Sequence, residues 1–291
     1  MVTLSALGLE IALLARTRRL SAANAAEGAR ASAAAAAGLE HARARLTRLL
    51  DDAAGHDPWH DFARALHDTV NLGDARYAVR IEDAGARVNV NLATESQLRR
   101  LFAALRMDAG TADRLAQAIA DWRDIDDLVR PRGAEREQYL AAGLPVLPRN
   151  APLVRVEELA DLYGMTAAIF SAVSPYLTTR GGGKVNVNTA ERAVLLSLPG
   201  FGDAAADATL QLRARGVVVW SFGQLAAALP PGLRNGLVDA EADLLPMTTF
   251  ETRELEVTSE GWVAGSPVHA RASALFVRGG GAIFASARRV E

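Results

Sequence analysis

The chain has 291 residues, half of them apolar and 23% charged, with a formal net charge of −2 at pH 7. That length holds two modest domains or one with a large insertion, and the balance excludes a disordered chain. There is no bulk basic excess of the kind phosphate neutralisation demands of a dedicated nucleic-acid binder, and the absence of cysteine removes disulfides and thiol chemistry.

The N-terminal run VTLSALGLEIALLA (residues 2–15) is apolar but interrupted by Glu10, and it stops at RTRR. A bilayer-spanning helix needs roughly 20 apolar residues, so as written the run is not a membrane span. No basic region precedes it, so it is not a signal peptide either. It reads as the tail of a longer hydrophobic segment whose start lies upstream of Met1. Strong helix formers without proline continue to about Leu50 and predict one long helix. Leu39, Ala42, Leu46, Leu49 and Leu50 give it an apolar stripe at spacings of three and four. Its second half is expected to lie across a sheet, with the first half projecting. Beyond it, His56 and His60 stand one helical turn apart. A zinc helix of the HExxH type needs a glutamate where Asp57 stands, and no metal site is expected there.

The stretch ARYAVRIEDAGARVNVN (residues 75–91) reads as two short strands, from the alternation of Tyr77, Val79 and Ile81 and of Val88 and Val90. Thr94 is a good N-cap for the helix that follows, with Gln97 at the capping-box position. A second helix follows, with Leu115, Ala118, Ile119 and Trp122 on its buried face. The plan repeats 97 residues later in VNVNTAERAVLLSLPGFGDAAADATLQLRARG. Here Leu198 to Gly202 form a tight hairpin, a turn the first copy does not carry in its sequence. Ser221 caps a further short helix, and VRVEELADLYGMTAAIFSAVSPYL supplies two more between the copies. Residues 92–247 are therefore expected to be nearly all helical.

One loop breaks the helical pattern. Asp121, Asp124, Asp126, Asp127, Glu135 and Glu137 crowd into seventeen positions, with Gly133 at a turn. Clustered carboxylates suit a hard cation such as Ca²⁺, which takes six to eight oxygens. The EF-hand register is absent, and Arg123, Arg130, Arg132 and Arg136 offer the alternative of an ion-paired loop without metal. At the C-terminus, FETRELEVTSEGW, HARASALFVRG and GAIFASARRVE read as a three-stranded antiparallel meander packing on the first helix.

In this order the chain resembles the general secretion pathway protein K family, the large minor pseudopilins of type II secretion systems, from about Ala22 onward. The matching stretches are RIEDAGARVNVN, AIADWRDIDD, RGAEREQYL, ELADLYGM, YLTTRGGGKVNVNTAERAVLLSLPGF and SFGQLAAAL. The resemblance implies an α+β fold. A pilin-like body, made of the long helix and an antiparallel sheet, carries a large inserted all-helical domain with two helix-hairpin-helix or SAM-like modules. The implied boundaries are 1–91 for the helix and first strands, 92–247 for the insertion and 248–291 for the closing strands.

The family's D-W-x-D-x-D…G-A-E pattern falls on Asp121, Trp122, Asp124, Asp126, Gly133, Ala134 and Glu135, which implies calcium on Asp121, Asp124, Asp126 and Glu135. Arg136 stands where the family often has another acid. The implied role is a non-enzymatic minor pseudopilin at the pseudopilus tip. It would assemble with the minor pseudopilins I and J, with secreted proteins as further possible partners. The implied location is the bacterial inner membrane, single pass, with the bulk of the chain in the periplasm. The membrane helix departs from the family pattern by being short. The runner-up reading is a helix-hairpin-helix DNA-binding protein related to competence DNA receptors, because VNVNTA…LPGFG is shared with them. The acidic balance and Asp203 directly after the hairpin argue against it. An enzyme is not expected, since no nucleophile, phosphate loop or positioned base accompanies the carboxylates.

Overall fold

Helix α1 runs from Val2 to Asp51 in the computed structural model, which describes residues 2–51, 69–279 and 282–290. Its length follows from an alanine-rich sequence with no proline between Val2 and Asp51. The pair His56 and His60 lies outside the described residues. Two units emerge from the backbone: Met1–Glu82 with Leu255–Glu291, and Asp83–Glu254. The first is thus discontinuous in sequence. The expected divisions at 91/92 and 247/248 differ from these by several residues at each junction. The reason is that short strands on both sides of the insertion pair inside the helical unit.

In the first unit, β1 (Thr69–Leu72) turns at Gly73, φ +66°, into β2 (Ala75–Asp83), with which it pairs antiparallel. The sequence gives little hint of β1, because TVNL is only four residues long. The burial of β2 alternates without a break, Tyr77, Val79 and Ile81 facing inward.

The helical unit starts with a 3-10 turn at Ala84–Ala86 and β3 (Val88–Asn89). The two short strands read over 75–91 lie in different sheets, and β3 does not pair with β2. It lies parallel to β4 (Leu177–Thr178). Between them run α2 (Glu95–Ala104), α3 (Ala109–Arg123), α4 (Arg136–Ala141) and α5 (Ala167–Val173). Of the two helices expected between the copies, the first is only a 3-10 segment, Val156–Asp161. The second half of the unit repeats the arrangement. β5 (Val185–Asn186) leads to α6 (Arg192–Leu196), α7 (Asp203–Ala214), α8 (Phe222–Ala227), α9 (Pro231–Asp239) and α10 (Glu241–Leu244). β6 (Thr248–Thr249) then closes it parallel to β5. One apolar core joins both halves, built around Trp122, Tyr139, Phe102, Leu115, Ile119, Leu195 and Phe222.

The chain then returns to the first unit in β7 (Glu254–Val263), β8 (His269–Gly279) and β9 (Ala282–Val290). The sheet order is β1-β2-β7-β8-β9. Ala35, Leu39, Ala42 and Leu46 of α1 pack on Tyr77, Ile81, Leu255, Val257, Ala274 and Phe276. The approach is close enough that a Cβ on Gly261 would lie 2.3 Å from the Ala31 carbonyl oxygen. The described side chains between Glu10 and Ala26 are exposed, so the first half of α1 projects as the composition suggests. Among the described residues no helix is long and apolar enough to cross a membrane.

Candidate functional site

The two VNVN turns share a common plan of hydrogen bonds. Asn91 Nδ2 donates to the Leu153 carbonyl at 2.9 Å, and its Oδ1 accepts from the Leu153 N–H at 2.8 Å. Asn188 does the same with Val219, both bonds being 2.8 Å. Each asparagine's own N–H is held by the side chain two residues earlier, Asn89 or Asn186. An arginine on the second helix then clamps each turn. Arg123 donates to the carbonyls of Val90 and Ala93, and Arg213 to those of Ala190 and Thr189. An arginine fork suits two adjacent carbonyls as a single ammonium would not. These arginines are spent on the fold, and sequence spacing alone does not reveal them, because the intervening turns differ in length.

The hairpin expected only in the second copy exists in both. Gly200 has φ +66° and Arg106 has φ +64°, each three residues before the first residue of the following helix. An L-residue in that conformation is costly, so an arginine there does not advertise the first turn. Each turn has contacts within its own chain. A Cβ on Gly200 would lie 2.3 Å from the Ala240 Cβ and 3.1 Å from the Gly236 carbonyl oxygen, so that side is taken by the segment joining α9 and α10. In the first copy, the Asp108 side chain already accepts from the Thr111 N–H at the start of α3. Arg192, the nearest cation to the second hairpin in sequence, pairs with Asp203 and Asp207 at 2.6 and 2.9 Å. Arg100 joins the copies by donating to the Ser197 carbonyl at 2.8 Å.

The acidic loop leaves the end of α3. Asp121 lies inside its last turn, fully buried, and Gly133 must be glycine because a Cβ there would lie 1.9 Å from Asp121 Oδ2. Arg130 gathers three carboxylates: Asp121 at 2.6 Å, Asp124 at 2.5 Å and Glu95 at 2.9 Å. That contact with Glu95 escapes the sequence reading. Burial pushes the Asp121 carboxyl up, and its hydrogen bonds from Arg130 pull against this. Asp126 is not drawn in: it is exposed, and its Oδ1 accepts from the Leu128 N–H at 2.9 Å. Asn150, itself at φ +48°, ties the loop by donating to the Asp126 carbonyl and to Asp127.

Glu135 differs from the rest. It is 3% exposed, yet neither carboxylate oxygen has a hydrogen-bond partner, and Asp124 Oδ1 and Trp122 Nε1 are likewise buried and unpartnered. Burial, reinforced by Asp121 and Asp124, pushes the Glu135 carboxyl up to about 7. Among the described residues no three His, Asp or Glu side chains are placed together as metal ligands. The donor chemistry nonetheless fits a hard cation: three buried carboxylate oxygens lack any partner, and an arginine supplies the positive charge to Asp121 and Asp124.

Residues 64–181 match the family model described as type II secretion system protein K. The chain is 34% identical over 171 residues to a type II secretion system protein K from Klebsiella pneumoniae, covering 53% of this chain and 52% of that protein. It is 30% identical over 208 residues to a putative protein K from Escherichia coli K12, covering 66% and 64%. The match thus spans from about half to under two thirds of these two relatives. Its fold is that of a chain in the crystal structure of the GspK–GspI–GspJ complex from enterotoxigenic Escherichia coli. The TM-score is 0.75 at 21% identity, over 95% of this chain and 99% of that one.

Proposed function

We propose, from the premise that residues 64–181 belong to the type II secretion system protein K family, that this chain works as a minor pseudopilin supporting protein export. The observation that carries the reading is that family match, on a chain whose other unit is a long helix laid on a five-stranded sheet. Such a part has a structural role, and its work is assembly rather than turnover. Its partners are the minor pseudopilins I and J, in keeping with the complex in which the similar fold occurs. The projecting half of α1 points to the inner-membrane side, with the rest of the chain in the periplasm. Whether the helical unit also meets secreted proteins is a matter for the same assay.

Two finer readings belong to this proposal. The paired turns, each with its left-handed residue before a helix, act as helix-hairpin-helix or SAM-like modules used for protein contacts. Nucleic acid is not their ligand, because the second hairpin packs on the Ala240 segment and the first is capped by Asp108. Asp121, Asp124 and Glu135, with Asp126 as a fourth carboxylate, would hold calcium in the acidic loop. Bound there, the ion supplies the positive charge that the Glu135 carboxylate lacks. It orders the loop and performs no chemistry.

The test of the functional reading is export. The chain, expressed in a type II secretion host lacking its own protein K, should restore appearance of the secreted proteins in the medium. Stable, folded chain that restores nothing and assembles with neither I nor J would refute it.

A further inference from the structure

We propose that Asp83 is the positioning residue of a junction that closes the helical unit on itself and sets the register of its second repeat. Three segments far apart in sequence meet there: the incoming turn at 83–85, the link between the repeats at 181–186, and the outgoing segment at 252–254. Asp83 Oδ1 accepts from the Gly85 N–H at 2.8 Å. Its Oδ2 accepts from Asn186 Nδ2 at 2.6 Å, from the Thr189 hydroxyl at 2.7 Å and from the Thr252 hydroxyl at 3.2 Å. The carboxylate is 5% exposed. Four donors converge on it from all three segments, so the bonds are directional and charge-assisted.

The comparison between the repeats makes the role specific. In the first, the asparagine that organises the turn, Asn89, spends its Nδ2 on the main-chain carbonyls of Arg180 and Gly181. In the second, the matching Asn186 donates its Nδ2 to Asp83 at 2.6 Å and to Thr252 at 3.1 Å. Backbone packing enforces the same meeting. A Cβ on Gly85 would lie 3.0 Å from the Lys184 carbonyl oxygen and 3.1 Å from the Asn186 Cβ. On the outgoing side Glu254 Oε2 accepts from the Gly182 N–H at 2.6 Å. Gly181, at φ +81°, leaves room for that oxygen, which a Cβ would approach to 2.6 Å. Each repeat is thus closed at its own parallel strand pair, and Asp83 ties the second closure to the point where the chain comes in.

The experiment is amide hydrogen exchange on the 291-residue chain. Asp83→Asn replaces an acceptor by a donor facing Asn186 Nδ2, and should cost about tenfold or more in protection at 185–190 and 248–250. Protection at 88–93 and 177–178 should change little. The paired swap Asp83→Asn with Asn186→Asp reverses donor and acceptor and keeps the shape, so protection of the second repeat should return. Asn89→Asp, which faces two carbonyls, should not be rescued by Asp83→Asn. Equal loss in both repeats on Asp83→Asn, no loss in either, or a swap as damaged as the single variant would each overturn the proposal. Should Asp83→Asn alone fail to fold, the swap decides: a folded, protected swap supports the junction, and an unfolded one refutes it.

Discussion

Glu135 is the residue whose environment is least satisfied, and its titration follows from that. Its folded carboxyl sits at about 7 against an ordinary 4.5, chiefly because burial disfavours the charged form. A raised folded value means the residue's contribution is complete below about 4.5 and is lost as pH rises through about 7. Metal-free protein should therefore lose stability over that window, and Glu135→Gln should flatten the loss and exceed the parent in Tm above it. A parent curve that rises or stays level across the window would contradict this.

Added calcium should reverse the effect, because an ion that binds only the folded loop stabilises it by mass action. Asp124→Ala should abolish the response while leaving helical content intact. An unchanged melting curve with calcium or chelator, on protein stripped of metal, would leave the loop's carboxylates balanced by arginine, Arg130 first. Arg106 offers a third check at this scale. A side chain at φ +64° is strained by about 1 kcal/mol, so Arg106→Gly should raise stability by up to that amount. A loss would mean the arginine side chain contributes more than its backbone costs.

At the scale of elements, the long helix, the inner face of β2 and the three closing strands were legible because each carries a strong period. Leu39, Ala42 and Leu46, or Tyr77, Val79 and Ile81, announce which face goes inward. The parallel pairs β3–β4 and β5–β6 were not legible, since two residues make no period and the partners are tens of residues apart. The acidic loop was found from its composition, but its organiser, Arg130, was one of four arginines that spacing did not distinguish. The first hairpin was hidden because arginine stands where glycine is usual. The arginine clamps have a testable consequence: Arg213→Lys should destabilise the second turn, since an ammonium cannot serve both carbonyls with the same geometry. In the other unit, Gly261→Ala places a methyl against helix backbone that cannot yield, and should cost roughly 1–3 kcal/mol. Wild-type melting of either variant would show that these contacts relax at little cost.

For the whole molecule, the arrangement is one of insertion. A pilin-like unit of helix and sheet begins and ends the chain, and a self-closed pair of helical repeats occupies the middle. The hydrogen bonds shared by the two turns hold each repeat together. The most direct measurement is size-exclusion chromatography of the purified chain mixed with the periplasmic parts of pseudopilins I and J. The account predicts a single species containing all three proteins, larger than any pair. It would be contradicted by folded chain eluting alone while I and J elute together.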